Sequence, residues 1–594
     1  MNAGAPRRPA AALARTSAQR AKAVFYLFLA FAFFLGVRFF IVQVREGPML
    51  AARAYQQRLT TIDYAAHRGT IYDRDGTPLV RSLPSQSVYV IPAEVVDVPV
   101  TARALARIVP DLGLARIEAL LRSTQPNVQV AHKVTREQAA AIAKLRLAGI
   151  NLVAEPTGVR FLPSGRLAST LIGFTGFDED GLDGVEYAFN SLLRGTPGRM
   201  VLESDEFARP IPFAQPHVLV AAKPGHSLEL TIDSFLQYNA EKILKDTVAQ
   251  WHAESGSIVV MDPQTGAVLA LANAPDFDVS EYARSSPDAR RDRAVADAYE
   301  PGSTFKLITA AAALDSGKVT PSDQFPARDS LTIGGSTIHN AEDGFLAGTG
   351  STENLEEIIA KSHNVGAAEV GLRIGSRTLY AAMQKYGFGT STKVGLPGEN
   401  PGILLPLKDW SATSLPTMSF GHGIATTPLA LTRFYCAIAN GGLLLRPRIL
   451  SAIIDPNGAV VYRYGREIER RAFSARTAAT LRGYLRAVVV RGTGDPTAQV
   501  PGYTTAGKTG TAQVAENGTY ASGDYVGSFV GFIPAEKPRY VILVKIAKPR
   551  GAIYGSVVAA PAFAKIAKLA MMHAGIPPAE VRLVRAARAS KRGL

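Results

Sequence analysis

Glu300-Pro301-Gly302-Ser303-Thr304-Phe305-Lys306 sets the architecture of this 594-residue chain. A serine follows a Pro-Gly turn, and the Ala-rich segment after it predicts a helix over 303–314. Ser303 then lies at the positive end of the helix dipole, and Lys306 lies one turn further along the same face. A serine hydroxyl becomes a strong nucleophile only when an adjacent base takes its proton. The spacing therefore predicts a Ser303 nucleophile with Lys306 as its base.

Two further motifs follow along the chain, Ser362-His363-Asn364 and Lys508-Thr509-Gly510. Each motif is weak alone, because such residues more often cap helices, close loops or face solvent. Each of the three patterns occurs once, in the order found in penicillin-recognising serine enzymes. We predict that Ser362 relays a proton and that Asn364 holds a substrate amide. Lys508 is the second cation that, together with burial, keeps the lysine base neutral near pH 7.

Lys508-Thr509-Gly510-Thr511 is predicted to form an edge strand on which a peptide substrate adds as an extra strand. Gly510 would let that substrate approach the backbone closely. We expect Thr509 and Thr511 to bind a terminal carboxylate. The backbone N–H groups of Ser303 and Thr511 are the predicted oxyanion hole.

Apolar runs on both sides of these motifs predict a sheet. Helices are predicted between the runs, including Pro428–Ala439 with Thr427 as its cap, and again at 560–574. Strands at both ends of a segment with helices between them predict an α+β domain whose central antiparallel sheet is flanked by helices. Four β-branched runs are predicted to pair as two hairpins: 257–261, 267–271, 525–533 and 540–546.

Chain length and net charge limit the number of domains and the classes of binding partner. The length corresponds to about four domain-sized units, and the net charge of +15 suggests nucleic acid or an anionic membrane as a partner. Residues 1–22 carry five basic and no acidic side chains, and 577–594 carry five basic and one acidic, so the body of the chain is only mildly basic. Nucleic acid is therefore not an expected partner. The single cysteine, Cys436, excludes an intramolecular disulfide, and neither a metal nor a cofactor is expected.

An apolar segment at 23–44 follows the basic N-terminus. As a helix it is about 33 Å long, enough to cross a bilayer. The preceding positive charge predicts that residues 1–22 stay in the cytoplasm and that the rest of the chain lies outside. The alternative is a cleaved signal peptide, but the candidate cleavage site at 52–54 lies too far beyond the apolar run. Arg38 within the span is expected to snorkel outward; the alternative is that it meets a polar group on a partner helix.

Residues 502–509 also satisfy the pattern of a phosphate-binding loop. The context argues against a nucleotide site, because such a loop needs a buried strand before it and a helix after it. Neither is predicted here.

The chain resembles the class B penicillin-binding proteins, specifically the division-type peptidoglycan D,D-transpeptidases. The similarity lies in the nucleophile segment and in four other segments: 67–76, 160–163, 181–186 and 506–512. It implies a membrane-anchored enzyme in which Ser303 attacks the D-Ala-D-Ala end of a stem peptide and passes the acyl group to an amine on a neighbouring stem. Penicillins would acylate the same serine. The middle motif residue, His363, varies in the family and has no assigned role.

The resemblance also implies the domain organisation and the partners. An FtsW-type glycosyltransferase and other division proteins are the expected partners in the cytoplasmic membrane. The implied regions are a cytoplasmic tail at 1–22, a transmembrane anchor at 23–44, a non-catalytic pedestal at 45–225, a transpeptidase domain at 226–576 and a basic tail at 577–594.

Two alternatives stay open at this stage. A β-lactamase or D,D-carboxypeptidase shares the three motifs but passes the acyl group to water; no Glu-x-x-Leu-Asn segment of the kind that deacylates class A β-lactamases follows Asn364. A β-lactam sensor or division scaffold without turnover is the second alternative.

Overall fold

The computed structural model describes residues 10–155, 158–176, 178–203, 217–341, 350–516 and 519–579. The chain divides into two units, one formed by 1–64 with 197–222 and the other by 65–196 with 223–594. Residues 1–9 of the predicted N-terminal tail and 580–594 of the predicted C-terminal tail lie outside the described residues.

The first unit contains the long apolar helix and a small antiparallel sheet. The helix extends from Ala10 to Phe40 and continues as a π-helical turn, Ile41–Arg45, before a second helix, Gly47–Arg58. No residue of the apolar span 17–45 is buried, as expected of a helix that a membrane surrounds. The sheet has the strands Leu59–Tyr64, Gly198–Glu203 and His217–Val220, in that order.

The second unit begins with a mixed α/β region between residues 65 and 196. Its helices are Val98–Ile108, Leu114–Leu121, Arg136–Leu145, Ser169–Ile172, Gly184–Ala188 and Asn190–Leu193. A three-stranded sheet has the order Val128–Val134, Gln86–Val90, Ile150–Ala154. A six-stranded sheet has the order Val460–Arg463, Leu450–Ile454, Ser227–Leu230, Ile71–Tyr72, Pro78–Leu83, Val159–Phe161.

The six-stranded sheet joins distant parts of the sequence. Strands from 71–161 pair with strands from 227–230, and these pair with strands from 450–463. The predicted boundary at residue 225 falls just before one of these strands, and the predicted domain bounds remain a prediction.

A five-stranded antiparallel sheet forms the centre of the second unit, as the sequence predicts. In chain order its strands are β1 (Ser255–Met261), β2 (Val268–Ala274), β3 (Ala506–Glu516), β4 (Thr519–Ile533) and β5 (Tyr540–Ala547). Their spatial order is β2-β1-β5-β4-β3, so both predicted hairpins are confirmed and β3 is an edge strand.

Helices cover both faces of this sheet. Along β1, Ile258 and Val260 contact one apolar cluster, whereas Val259 and Met261 contact the other. Successive side chains of a strand point to opposite faces, so an unbroken apolar run needs a helix layer on each side. The main helices are α1 (Ser234–Gln250), α2 (Lys306–Asp315), α3 (Leu355–Lys361), α4 (Asn364–Ile374), α5 (Pro428–Ala439), α6 (Ala475–Arg491) and α7 (Ala560–His573).

The predicted helices at 428–439 and 560–574 agree with these bounds, whereas the helix predicted from residue 303 begins as a 3-10 turn and becomes α-helical only at Lys306. The side chain of Thr427 accepts the Ala430 N–H at the start of α5, and Pro428 occupies the first turn. The helical segment 555–573, which includes α7, is long and apolar enough to span a membrane, but more than half of it is buried inside the protein. Shorter elements complete the unit: helices Pro287–Arg290, Arg293–Ala296, Ser376–Lys385, Ser414–Met418 and Gly555–Val558, and strand pairs Gln324–Pro326 with Thr352–Asn354, Ser330–Ile333 with Ser336–His339 and Leu443–Leu445 with Ile468–Arg471.

Candidate active site

Ser303 lies in a tight 3-10 turn, Gly302–Phe305, which leads directly into α2. The backbone of Gly302 has a φ of +55°, and a Cβ atom there would lie 2.8 Å from the carbonyl oxygen of Thr511. The Tyr435 hydroxyl donates to the Thr304 carbonyl at 2.9 Å. Glycine is therefore required on one side of the turn, and a buried tyrosine fixes the other side.

Lys306 connects the first two motifs. Its side chain is 1% exposed, and its Nζ atom lies 3.0 Å from Ser303 Oγ, 3.2 Å from Ser362 Oγ and 2.8 Å from Asn364 Oδ1. Burial holds the pKa of Lys306 well below its usual range, and the nearby Lys508 lowers it further. An uncharged amine in contact with a serine hydroxyl is the arrangement that proton abstraction needs.

Lys508 approaches the same serine from the edge strand. Its Nζ atom lies 2.8 Å from Ser362 Oγ and 3.2 Å from both oxygens of Thr509, the carbonyl and the hydroxyl. The side chain is fully buried, and burial lowers its pKa to about 7. Ser362 therefore bridges two buried lysines, which is a geometry suited to proton relay.

Ser362 adopts a backbone conformation that non-glycine residues seldom take. It follows the last residue of α3 with φ 63° and ψ 37°, in the left-handed region. The Ile358 carbonyl accepts the backbone N–H of Ser362 and also the backbone N–H of His363. Strain of this kind concentrates at functional sites, where the surrounding contacts maintain it.

Asn364 is held by a residue that the sequence did not indicate. The side-chain oxygen of Asn340 accepts the N–H groups of Asn364 and Val365 at 2.9 and 3.1 Å, and so caps α4 from a distant loop. The side-chain nitrogen of Asn364 donates to the His339 carbonyl. These contacts join segments 24 or more residues apart, beyond the reach of capping patterns read from adjacent residues.

The middle residue of the second motif has a definite partner. His363 Nδ1 lies 2.5 Å from a carboxylate oxygen of Glu353, which is 3% exposed. Glu353 also acts on Lys306, because its negative charge raises the pKa of that lysine against the two lowering effects. Sequence reasoning assigned His363 no role and did not select Glu353.

The edge strand β3 places the third motif against the nucleophile turn. A Cβ atom on Gly510 would lie 2.4 Å from Ser528 Oγ and 2.9 Å from Thr304 Cγ2, so this glycine is needed for packing inside the protein. The Thr509 hydroxyl lies 2.7 Å from that of Thr493, and Thr511 Oγ1 accepts the Gly555 N–H. Their predicted contact with a substrate carboxylate remains a prediction.

The phosphate-binding-loop alternative is wrong. Residues 506–516 form strand β3, which is followed by strand β4 and not by a helix. Within the described residues, no three His, Cys, Asp or Glu side chains are grouped closely enough to hold a metal ion.

A family model for the transpeptidase domain of penicillin-binding proteins matches residues 256–568. The chain belongs to the penicillin-binding protein transpeptidase family. A second model, for the penicillin-binding protein dimerisation domain, matches residues 63–230. The three motifs described above all fall within the first match.

Curated relatives and solved structures agree with this family. The chain is 33% identical to the peptidoglycan D,D-transpeptidase FtsI of Escherichia coli over 91% of this chain and 89% of that one. It is 32% identical to the stage V sporulation protein D of Bacillus subtilis over 90% of this chain and 83% of that one. The fold is similar to that of penicillin-binding protein 3 of Mycobacterium tuberculosis complexed with aztreonam, with a TM-score of 0.67 and 29% sequence identity. The match covers 87% of this chain and 98% of that one.

Proposed function

We propose that this penicillin-binding protein is a serine D,D-transpeptidase that cross-links peptidoglycan stem peptides. One observation carries the proposal: the buried Lys306 Nζ lies within hydrogen-bonding distance of both Ser303 Oγ and Ser362 Oγ. That contact supplies a base for the nucleophile and a route for its proton. The D,D-transpeptidase relatives, which match over most of their length, support the same substrate.

Acylation uses the three motifs in turn. Neutral Lys306 accepts the Ser303 proton as Oγ attacks the carbonyl carbon between the two terminal D-alanines. The N–H groups of Ser303 and Thr511 stabilise the oxyanion. Through the hydroxyl of Ser362, which Lys508 also contacts, the proton reaches the departing D-alanine amine. An amine of a second stem then attacks the ester, so that the cross-link forms and Ser303 is regenerated.

Penicillins fit the same chemistry, because their strained amide presents a carbonyl to Ser303 and their carboxylate presents a charge to the edge strand. Asn364 would hold the substrate amide, and Thr509 and Thr511 its carboxylate. Among the described residues no contact favours hydrolysis over transfer, so a carboxypeptidase or β-lactamase activity has no specific support there.

Residues 23–44 are proposed to anchor the enzyme in the cytoplasmic membrane with its N-terminus inside and the catalytic unit outside. The exposed apolar helix and the basic residues before it support this orientation. A septal role, with an FtsW-type glycosyltransferase as partner, is supported by the similarity to FtsI. Depletion in the native cell tests that role: filaments are expected, whereas rounded cells would indicate an elongation role.

Covalent labelling by fluorescent penicillin tests the nucleophile. The full-length chain is expected to be labelled at one residue, identified by mass spectrometry as Ser303, and Ser303→Ala is expected to lose the label. Ser316→Ala, at the far end of α2, removes a hydroxyl that only donates to Ala313 and is the matched control. Full labelling of Ser303→Ala would contradict the proposal. Rapid release of hydrolysed penicillin would favour a β-lactamase.

A further inference from the structure

Glu300, His422 and Tyr520 form a polar cluster beside the nucleophile turn, and the acylation chemistry gives it no role. We call these three residues the Glu300 cluster. The Glu300 carboxylate accepts the Gly423 N–H at 2.8 Å and the Tyr520 hydroxyl at 3.2 Å. Its Oε2 atom lies 3.7 Å from His422 Nδ1, which is itself 3.4 Å from the Tyr520 hydroxyl.

The cluster borders the site that holds Ser303. The Gly302 N–H donates to the Gly421 carbonyl at 3.1 Å, and a Cβ atom on Gly421 would lie 2.2 Å from the Gly302 carbonyl oxygen. The loop that carries His422 is therefore in direct backbone contact with the nucleophile turn. Glu300 lies three residues before Ser303, just ahead of the nucleophile turn, and Tyr520 comes from β4, the neighbour of the edge strand.

The charge on Glu300 has no permanent counterpart. Its side chain is 15% exposed, yet within the described part of the chain no Lys or Arg nitrogen lies within 4 Å of its oxygens. Glu186, by contrast, is buried between Arg68 and Arg160. Burial lowers the pKa of His422 to about 4, with Lys306 as a further cause, so its imidazole is neutral at pH 7. A largely buried carboxylate beside a neutral ring favours the approach of a cation from outside.

The second half-reaction brings such a cation. An acceptor amine arrives protonated, because its ordinary pKa is about 10.4, and it must lose a proton before its lone pair can attack. We infer that the Glu300 cluster receives the acceptor ammonium and that the Glu300 carboxylate takes this proton. The inference rests on the proposed transpeptidase function and names the residues that favour transfer to an amine over transfer to water.

The step balances in atoms and charge. One ammonium proton moves to Glu300, and the freed lone pair attacks the acyl carbon of the Ser303 ester. The C–N bond forms and the C–O bond breaks, while a second amine proton passes through Lys306 to Ser303 Oγ. Glu300 then releases its proton to water. His422, as a neutral ring, offers a hydrogen bond without repelling the ammonium, and Tyr520 holds the carboxylate in place.

Partition of the acyl-enzyme tests the inference. The full-length protein is given a thioester donor that mimics the acyl-D-Ala end, with D-alanine as the amine acceptor, and the ratio of amide to hydrolysed product is measured by mass spectrometry. Glu300→Gln is nearly isosteric and keeps an oxygen to accept the Gly423 N–H. We expect its labelling rate by fluorescent penicillin to stay within about twofold of wild type and its amide-to-acid ratio to fall about 100-fold.

Glu369→Gln is the matched control, because Glu369, like Glu300, is a partly buried carboxylate whose pKa is raised by burial, but it lies on α4, pairs with Arg328 and is not part of the cluster. Its ratio is expected to equal that of wild type. If Glu300→Gln fails to fold, His422→Lys makes the same test by giving the carboxylate an internal cation, and the ratio is again expected to fall.

The outcomes separate the two proposals. A wild-type chain that penicillin does not label contradicts the proposed function itself. An unchanged ratio in a normally labelled Glu300→Gln chain overturns the acceptor role alone. Parallel losses of labelling and of transfer also overturn it, because they would show that the cluster shapes the nucleophile turn and does not receive the amine.

Discussion

Lys306 and Lys508, which are 202 positions apart in the sequence, meet at one hydroxyl: their Nζ atoms lie 3.2 and 2.8 Å from Ser362 Oγ. Both side chains are almost fully buried. Each is therefore penalised for carrying a proton, and a charge on Lys508 adds to the penalty on Lys306. Placing two buried lysines around one serine therefore lowers the pKa of both amines, as a lysine base requires.

This coupling predicts how acylation depends on pH. Because the base must be neutral, the labelling rate should fall as the pH drops through the lowered pKa of Lys306. Lys508→Met removes one cause of that lowering, so the pKa of Lys306 rises and the acid-side fall should move to higher pH. The rate of labelling by fluorescent penicillin is measured from pH 5 to 10. The profile gives the pH at which the rate falls separately from the maximal rate.

Lys361→Met serves as the control for this experiment, because Lys361 is an exposed lysine at the end of α3. It removes a charge from the neighbourhood without opening the buried site. An acid-side fall that stays in place in Lys508→Met would show that the two lysines are not coupled.

The conformation of Ser362 predicts a difference between two substitutions. Ser362→Ala and Ser362→Gly both remove the bridging hydroxyl, and each should slow acylation about 100-fold. Only alanine keeps the strain of the left-handed backbone, so the glycine variant should be more stable by about 1 kcal/mol. Thermal unfolding of the two variants side by side measures this difference. Equal stability would mean that the strain at φ 63° is negligible.

The close packing around Gly510 predicts that a side chain at this position is not tolerated. In Gly510→Ala the added methyl group would collide with Ser528 and Thr304, and it would push β3 away from the nucleophile turn. We expect a lower melting temperature and a loss of most penicillin labelling, with a destabilisation of about 1–3 kcal/mol.

Gly483→Ala is the matched substitution, since Gly483 lies inside α6 with no atom within 4 Å of its missing Cβ. It should stabilise the protein by about 0.5–1 kcal/mol and leave labelling unchanged. Full labelling of Gly510→Ala at wild-type stability would contradict the packing argument.

Most of the site could be predicted from the spacing of residues within each short motif. The interval between Ser303 and Lys306 predicts side chains on one face, and the structure places their functional atoms 3.0 Å apart. The two hairpins were predictable because their strands are apolar and separated by short turns. The edge position of β3, predicted from the Lys508-Thr509-Gly510-Thr511 motif, is confirmed.

Contacts between distant segments were not predictable in the same way. Asn340, Glu353 and His422 reach the site from loops and a short strand whose positions only the folded sheet determines. Glu300 was visible beside the nucleophile motif, but its importance depends on the absence of a paired cation, and pairing is a property of the tertiary structure. The left-handed turn at Ser362 also gave no sign in the sequence, because such turns usually carry glycine or asparagine.

The buried ion cluster between residues 65 and 196 supports a final prediction about stability. Glu186 accepts from Arg68 Nε at 2.7 Å and from Arg160 Nη2 at 2.6 Å, and all three side chains are at most 5% exposed. Glu186→Ala would remove the one carboxylate that both buried guanidinium groups contact directly, so the free energy of unfolding should fall by about 3–5 kcal/mol. Glu254→Ala breaks a more exposed pair with Lys548 and should cost about 0–1 kcal/mol. Denaturant unfolding of both variants measures the difference, and equal losses would mean that burial does not set the strength of the cluster.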